Sequence, residues 1–426
     1  MFFSLRPLCP LRCNSLKMLT DWSNAIAHVD CDAFYVSCEM VRHPELKGEP
    51  VCVLSSQNAI VVAKSYDAKA MGISTGMPVW EARKIAPKAL FFEADFRYYG
   101  QLSGKFFSIL RRYSPDIEIY SIDEAFMDMN GIRILWGKSF QQLADEIRTA
   151  IEREVGITVS VGIANTRTLA KLASESNKPN GSMILPGKGI ESFLSDLPVA
   201  DIPGIGRNRA ALLCKFDIRT ALQFSRLDDG LMHRLLGRNG MLLKQELSGR
   251  SVMPLELKPV LPKSLSRTAS MGQLIADRHL VAAHLSYHCM RLVSELVAKH
   301  LLTHRIHLFL TMANFEKRKT VLHLDFPSNS LKRIMCATKQ GFAQLFRQGD
   351  SYRACGLTAT HISREQAATD DLFGFMVEDS RQTRLMLTVN AINHKYGDRT
   401  LSLASTCRVK EKSKELRFHY PVLIAY

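Results

Sequence analysis

The sequence predicts an α+β protein with a split βαβ sheet, a run of short helices and a second α+β unit. Three observations predict it. Between residues 25 and 176 the apolar pattern reads strand, helix, hairpin, helix, strand, the order of a ferredoxin-like split βαβ sheet with helices on one face. From about Leu197 to Gly249 the pattern changes to short helices, followed by a linker rich in Pro and Lys at 251–263. From 264 to 363 helices and strands alternate again, as in a smaller α+β unit.

In chain order, residues 25–31 read as a buried strand and Ala33–Arg42 as a helix. Val51–Leu54 and Ile60–Ala63 are short strands around a Ser-Ser-Gln-Asn turn. Tyr66–Met71 and Pro78–Ile85 are helical, separated by Gly72 and Gly76, and Tyr99–Tyr113 is a further helix. Ile117–Tyr120 and Ala125–Met129 form a hairpin with an acidic pair at its junction. Phe140, Leu143, Ile147, Ala150 and Ile151 recur at helical spacing, with Gly156 as the stop. Ile157, Val159, Val161 and Ile163 alternate with Thr158, Ser160 and Gly162, a half-buried strand, and Asn165–Ser176 returns to helix. Beyond the linker come helix Ala282–Lys299, strand Arg305–Thr311, helix Leu331–Arg347 and strand Ala354–Ile362. From Arg364 the sequence reads as a loosely attached tail with one isolated helix, Arg381–His394.

The 426 residues suffice for two to four compact units, and 46% hydrophobic with 23% charged residues excludes a disordered chain. No apolar run approaches the ~20 residues of a membrane span. Lys and Arg outnumber Asp and Glu by 56 to 41, a net charge of +15 that suits nucleic acid or an anionic membrane surface. The 10 cysteines form no CxxC pair, and Cys31, Cys52 and Cys214 lie in apolar runs, as expected of a reduced cytoplasmic protein. Met1–Lys17 reads as a floppy extension or an overcalled start, with Met18 the alternative initiator.

The chemistry lies in two acidic segments, Asp30-Cys31-Asp32 and Asp123-Glu124, each placed where an apolar strand ends. A buried ionised carboxylate costs several kcal/mol unless compensated, and hard divalent cations compensate it through oxygen ligands. Asp30 and Asp32, two apart in a strand, project to one face. Asp123 and Glu124 reach one ion together only at a hairpin tip. Such a set can bind two cations about 3.5–4 Å apart, as in-line phosphoryl transfer requires.

Asp-Cys-Asp-Ala-Phe-Tyr (30–35), Ser-Ile-Asp-Glu-Ala-Phe (121–126), Ser-Val-Gly-Ile-Ala (160–164), Lys-Pro-Asn-Gly (178–181) and Ile-Pro-Gly-Ile-Gly (202–206) occur in this order. They resemble the motifs of Y-family translesion DNA polymerases of the bacterial UmuC and DinB types, over about residues 25–365. The resemblance implies a hand-like layout after an extension at 1–24. The palm would be 25–44 and 98–190, small fingers 45–97, a helix-hairpin-helix thumb 191–250, a little finger 264–363 and a tail 364–426. It implies low-fidelity, template-dependent DNA synthesis past lesions, with two Mg²⁺ ions. Asp30 and Asp123 would bridge both ions, Glu124 and the Cys31 carbonyl would each complete one, and Asp32 would at most orient the site. Tyr35, after Phe34, would exclude a ribose 2′-hydroxyl. Tyr66, Lys69 and Lys178 would hold the triphosphate, with Lys69 standing where many relatives carry Arg. Gly204, Gly206 and Arg207 would grip a DNA phosphate through backbone N–H groups. Lys263, Arg267, Arg305, Lys317, Arg318 and Lys319 suit backbone tracking by the second unit.

Thr369-Asp370-Asp371-Leu372-Phe373 resembles a sliding-clamp motif, although the usual Gln is absent from its place and Gln366 is only nearby. Lys395-Tyr396-Gly397 resembles UmuC-type tails. The implied partners are primer–template DNA and deoxynucleoside triphosphates, with a sliding clamp and a UmuD-like subunit left open. Two rivals stand beside this reading: a catalytically silent DNA-binding protein of the same fold, and a nucleotide cyclase on a similar palm. The first tends to lose the acids; the second needs no glycine hairpin and would make cyclic product without DNA.

Overall fold

Alternating small and branched residues make β1 (Ile26–Cys31) the central strand of a five-stranded sheet. The computed structural model describes residue 22, residues 24–55, 58–258, 260–365, 375–397 and 399–407, and residue 409. The chain divides into two compact units between residues 259 and 260. After β1 the first unit runs through α1 (Phe34–Arg42), β2 (Val51–Leu54), β3 (Val61–Lys64), α2 (Tyr66–Ala70), α3 (Val79–Ile85), β4 (Leu90–Glu93) and α4 (Phe96–Leu110). Next come β5 (Ile117–Ile119), β6 (Glu124–Asp128), α5 (Ile132–Trp136), α6 (Phe140–Val155), β7 (Val159–Ala164), α7 (Arg167–Ser176) and β8 (Ser182–Leu185). The last helices of this unit are α8 (Ile190–Ser195), α9 (Arg207–Cys214), α10 (Ala221–Ser225) and α11 (Asp229–Leu247).

The sheet order is β5-β6-β1-β7-β8. Both β1 and β5 run antiparallel to β6, so the β1–α–β5 crossover is split by the strand between. Ala27, Val29, Cys31, Ala125, Met127, Val159 and Val161 bury one face under α1, α4 and α6. The expectation of helices on one face needs correction, because α7 covers the other face around Ile26, Phe126 and Ala164. Gly162 permits this: a Cβ there would meet Ala170 O at 2.2 Å and Ser174 N at 2.3 Å. For the same reason β7 is buried throughout, not half-buried; Ser160 and Gly162 are small to admit a helix rather than polar to face water.

A separate sheet, β3-β2-β4, includes a strand the sequence did not announce. Leu90–Glu93 is too short to show a period and pairs parallel with the fully buried β2. Two buried glutamates fasten the helical segment. Glu246 accepts from the backbone N–H groups of Thr168, Val252 and Met253, and Glu118 pairs with Arg167 while accepting from Glu256 N.

In the second unit, β9 (Ser264–Ile275), α12 (Arg278–Ala298), β10 (Leu301–Met312), β11 (Lys317–Ser328), α13 (Leu331–Leu345) and β12 (Tyr352–Arg364) give an antiparallel sheet of order β11-β10-β12-β9. β9 and β11 went unread because they are edge strands whose inward side carries few apolar residues: Leu265, Met271 and Ile275 in one, Leu322 and Leu324 in the other. α14 (Phe375–Tyr396) corrects the picture of a loose tail. Met386 enters the core, Asn390 bonds Ser294, and Asp379 accepts from Ser328 Oγ at 2.6 Å and Arg333 Nε at 2.8 Å. Gly397, with φ +114, ends this helix, and Asn393 closes the turn through Leu401, which gives Lys395-Tyr396-Gly397 a capping role. Among the described residues no helix is long and apolar enough to cross a membrane. Leu372 and Phe373 lie outside the described residues.

Because Asp379 satisfies two donors, Asp379→Ala is expected to lower the unfolding free energy by about 1–3 kcal/mol, and Asp379→Asn by less. Denaturant titration checks this; an unchanged midpoint in Asp379→Ala would mean that α14 is only draped on the surface.

Candidate active site

Asp30 and Glu124 are direct partners in the β1–β6 register, so the pleat forces their side chains to one face. His28, two residues before Asp30, shares it, and ligand atoms of His28, Asp30 and Glu124 lie within 4.8 Å of one another. Asp123 sits in the turn before β6, where Cys31 N donates to its carbonyl at 2.9 Å and Ser121 Oγ bonds its carboxylate. It stands one step outside that group of three, close enough to act on the charges of both Asp30 and Glu124.

The electrostatics are those of crowded acids out of water. Burial pushes Asp30 up to about 7, Lys178 opposes this, and Asp123 and Glu124 reinforce it. Asp123 is raised as well, by burial first and then by Glu124, against the Ser121 hydrogen bond. Burial also acts against ionised Glu124, but hydrogen bonds from His28 and Lys171 outweigh it and hold the carboxyl at about 2. The two lysines are in place: Lys178 Nζ bonds Asp30 and Lys171 Nζ bonds Glu124. Two ammonium groups thus stand against three carboxylates, a site that attracts further positive charge.

A hard divalent cation fits this donor set of carboxylate oxygens. The site's acids are compensated only in part by protein cations, so burial first, and the neighbouring acids after it, disfavour the ionised form of Asp30.

Asp32 is buried but belongs to the scaffold. Its carboxylate accepts from Ser160 Oγ and Asn180 N, both at 2.8 Å, which pins the loop carrying Lys178. Tyr35 stacks on Tyr99 with centroids 5.0 Å apart and meets Phe96 edge-on at 5.7 Å. Phe34, at 3% exposure, belongs to the core, and Tyr35 is half-buried against it. Tyr66 lies within electrostatic reach of the acids, its phenol pushed up to about 12 by burial and by Asp32. Lys69 lies instead on the exposed side of α2, near Lys64.

In the glycine hairpin Gly204 has φ +92, a conformation that disfavours a side chain, and Gly206 caps α9 with Arg207 exposed behind it. Its first arm is only a three-residue 3-10 turn, Val199–Asp201, not a full helix. A cavity of about 350 Å³ lies between the hairpin, at Gly204 and Arg209, and Arg167 and Lys171, of which Lys171 bonds Glu124. In the second unit Lys317 and Lys319 are exposed on an edge strand, whereas Arg267 pairs with Glu295 and Arg318 with Asp350.

Sequence reasoning missed His28, Lys171 and Ser174. The signals were there: His28 precedes Asp30 by one strand period, and Lys171 and Ser174 follow at helical spacing.

Comparison with known proteins comes to the same place. The impB/mucB/samB family matches residues 29–175, and the impB/mucB/samB family C-terminal domain matches residues 262–372. DNA polymerase IV of Desulfatibacillum aliphaticivorans is 30% identical over 389 residues, covering 90% of this chain and 96% of that protein. DNA polymerase IV of Bacillus velezensis is 30% identical over 397 residues, covering 91% and 94%. Among solved structures, a Y-family DNA polymerase chimera of Dbh and Dpo4 superposes with a TM-score of 0.68 at 24% identity, covering 79% of this chain and 99% of that one. An insertion ternary complex of Dbh DNA polymerase gives 0.57 at 23% identity, covering 79% and 98%.

Proposed function

Because this chain belongs to the Y-family DNA polymerases, of the DinB-like kind, we propose that Asp30, Asp123 and Glu124 carry its nucleotidyl transfer with two Mg²⁺ ions. It is a DNA-directed DNA polymerase of the translesion type. The observation that carries the catalytic reading is the register: Asp30 opposite Glu124, with Asp123 in the adjoining turn. Asp30 and Asp123 would hold both ions, Glu124 one of them and the Cys31 carbonyl the other. When bound, the ions supply Lewis acidity at the primer 3′-hydroxyl and charge neutralisation at the leaving pyrophosphate.

The chain's own groups do the rest. Tyr35, braced by Tyr99 and Phe96, fills the space beside the sugar and turns away a 2′-hydroxyl. Lys178, which bonds Asp30 here, would bind the triphosphate, helped by Tyr66 and more loosely by Lys69. Arg167, Lys171 and Arg209 line the path by which the primer backbone reaches the hairpin, where Gly204, Gly206 and Arg207 bind a phosphate without reading sequence. On this reading the five-stranded sheet is the palm, the β3-β2-β4 sheet belongs to the fingers, 191–250 is the thumb and 264–363 the little finger, with Lys263, Arg305, Lys317 and Lys319 suited to the DNA backbone.

Extension of a labelled primer over templates with and without an abasic site tests the function. Incorporation on both templates is expected, and none on either would rule the reading out. For Lys178→Ala, KM for the incoming nucleotide is expected to rise about tenfold with a smaller change in kcat, since one charge-assisted contact is lost. An unchanged KM would place Lys178 off the triphosphate.

A further inference from the structure

His28 is fully buried, yet both its ring nitrogens have partners. Nε2 lies 3.1 Å from Glu124 Oε2, and Nδ1 lies 2.7 Å from Ser174 Oγ on α7. The ring also lies 4.5 Å from that of Phe126, which fills the same sheet face. An ionised carboxylate only accepts, so Nε2 carries the proton and the neutral ring's Nδ1 accepts from Ser174 Oγ, whose one proton it shares with the Lys171 carbonyl 2.8 Å from that hydroxyl. One tautomer and one ring orientation follow from that pair of contacts.

We propose that His28, locked by Ser174, is a positioning residue that fixes the carboxylate of Glu124 for a divalent cation; this rests on the catalytic reading above. Lys171 bonds the same oxygen, Oε2, but the two neighbours behave differently when a cation enters. An ammonium is repelled by the incoming charge and must move off. A neutral imidazole N–H is not, so His28 keeps its grip while Oε1, which takes no hydrogen bond among the described residues, is presented to the metal. A donor behind a ligating carboxylate of this kind typically governs affinity by ten- to a hundredfold.

The test measures Mn²⁺ binding by electron paramagnetic resonance. The protein is held with a dideoxy-terminated primer–template and the next nucleotide, so that no turnover contributes. His28→Leu removes the donor and keeps an apolar filler; its Mn²⁺ dissociation constant is expected to rise about tenfold or more. His28→Gln returns an N–H near the Nε2 position and is expected to recover most of that loss, although both variants alter packing. Ser174→Ala, which leaves the ring in place but unlocks it, is expected to weaken binding by a smaller factor. Primer–template affinity should be unchanged in all three. Should His28→Leu fail to fold, the Gln and Ala variants decide: wild-type affinity in the first with weakened affinity in the second supports the proposal. Wild-type Mn²⁺ affinity in His28→Leu or in Ser174→Ala overturns it, as does a His28→Gln no better than His28→Leu. If wild-type protein binds no Mn²⁺ at this site, the catalytic reading itself fails and the proposal falls with it.

Discussion

Asp30→Asn is expected to abolish primer extension, by roughly 10³-fold or more, while making the metal-free protein more heat-stable. Both effects follow from one observation. Asp30 is buried against Asp123 and Glu124, and its carboxyl is pushed up to about 7 from an ordinary 3.8. A folded-state value above the unfolded one means that the folded chain binds the extra proton. Stability contributed by this group is therefore full below about 4 and is lost as pH rises toward 7. At pH 8 the wild-type site carries the whole penalty, and Asn carries none. Added Mg²⁺ should raise the wild-type melting temperature at pH 8 and leave that of Asp30→Asn nearly unmoved. Extension by wild type should fall as pH drops below about 7, because protonated Asp30 cannot hold a cation, and higher Mg²⁺ should shift that midpoint downward. Melting curves at pH 5 and pH 8, with and without Mg²⁺, check the sign. A less stable Asp30→Asn at pH 8 would show that the carboxylate is satisfied by Lys178 alone.

Tyr35→Ala is expected to collapse the preference for deoxynucleotides by on the order of 10²-fold, chiefly by allowing ribonucleotides in. The ring is stacked at 5.0 Å on Tyr99, whose hydroxyl bonds Glu39, and is closed edge-on by Phe96. A ring held on two sides cannot swing away from an added hydroxyl, and rigidity is what turns contact into exclusion. Tyr35→Phe keeps the ring and should keep most of the discrimination. Single-nucleotide insertion with matched ribo- and deoxynucleoside triphosphates gives the ratio directly. Equal ratios in wild type and Tyr35→Ala would relegate Tyr35 to core packing.

What the sequence disclosed depended on how much of each signal was local. β1, α6 and the β5–β6 hairpin were readable because their apolar periods are long or end in marked acids. The short β4 and the edge strands β9 and β11 were not, since strand pairing is a non-local decision that few inward side chains reveal. The place of α7 was hidden in Gly162, whose missing side chain matters only once a helix approaches it. For the candidate site, motifs singled out Asp30, Asp123, Glu124, Tyr35 and Lys178. That Asp32 braces the Lys178 loop and Phe34 fills the core could not, because both depend on which neighbour the fold supplies. His28 was the instructive omission: a histidine on a buried strand looks like packing until its register with Glu124 is known.

The most direct measurement is anomalous diffraction from crystals of the protein with a dideoxy-terminated primer–template, the matching deoxynucleoside triphosphate and Mn²⁺. Two peaks about 3.5–4 Å apart are expected. Both should touch Asp30 and Asp123 and one should touch Glu124, with Lys178 moved from Asp30 onto the triphosphate. Peaks elsewhere, or Asp30 and Glu124 still occupied by Lys178 and Lys171 with nucleotide bound, would contradict metal-dependent transfer at these acids.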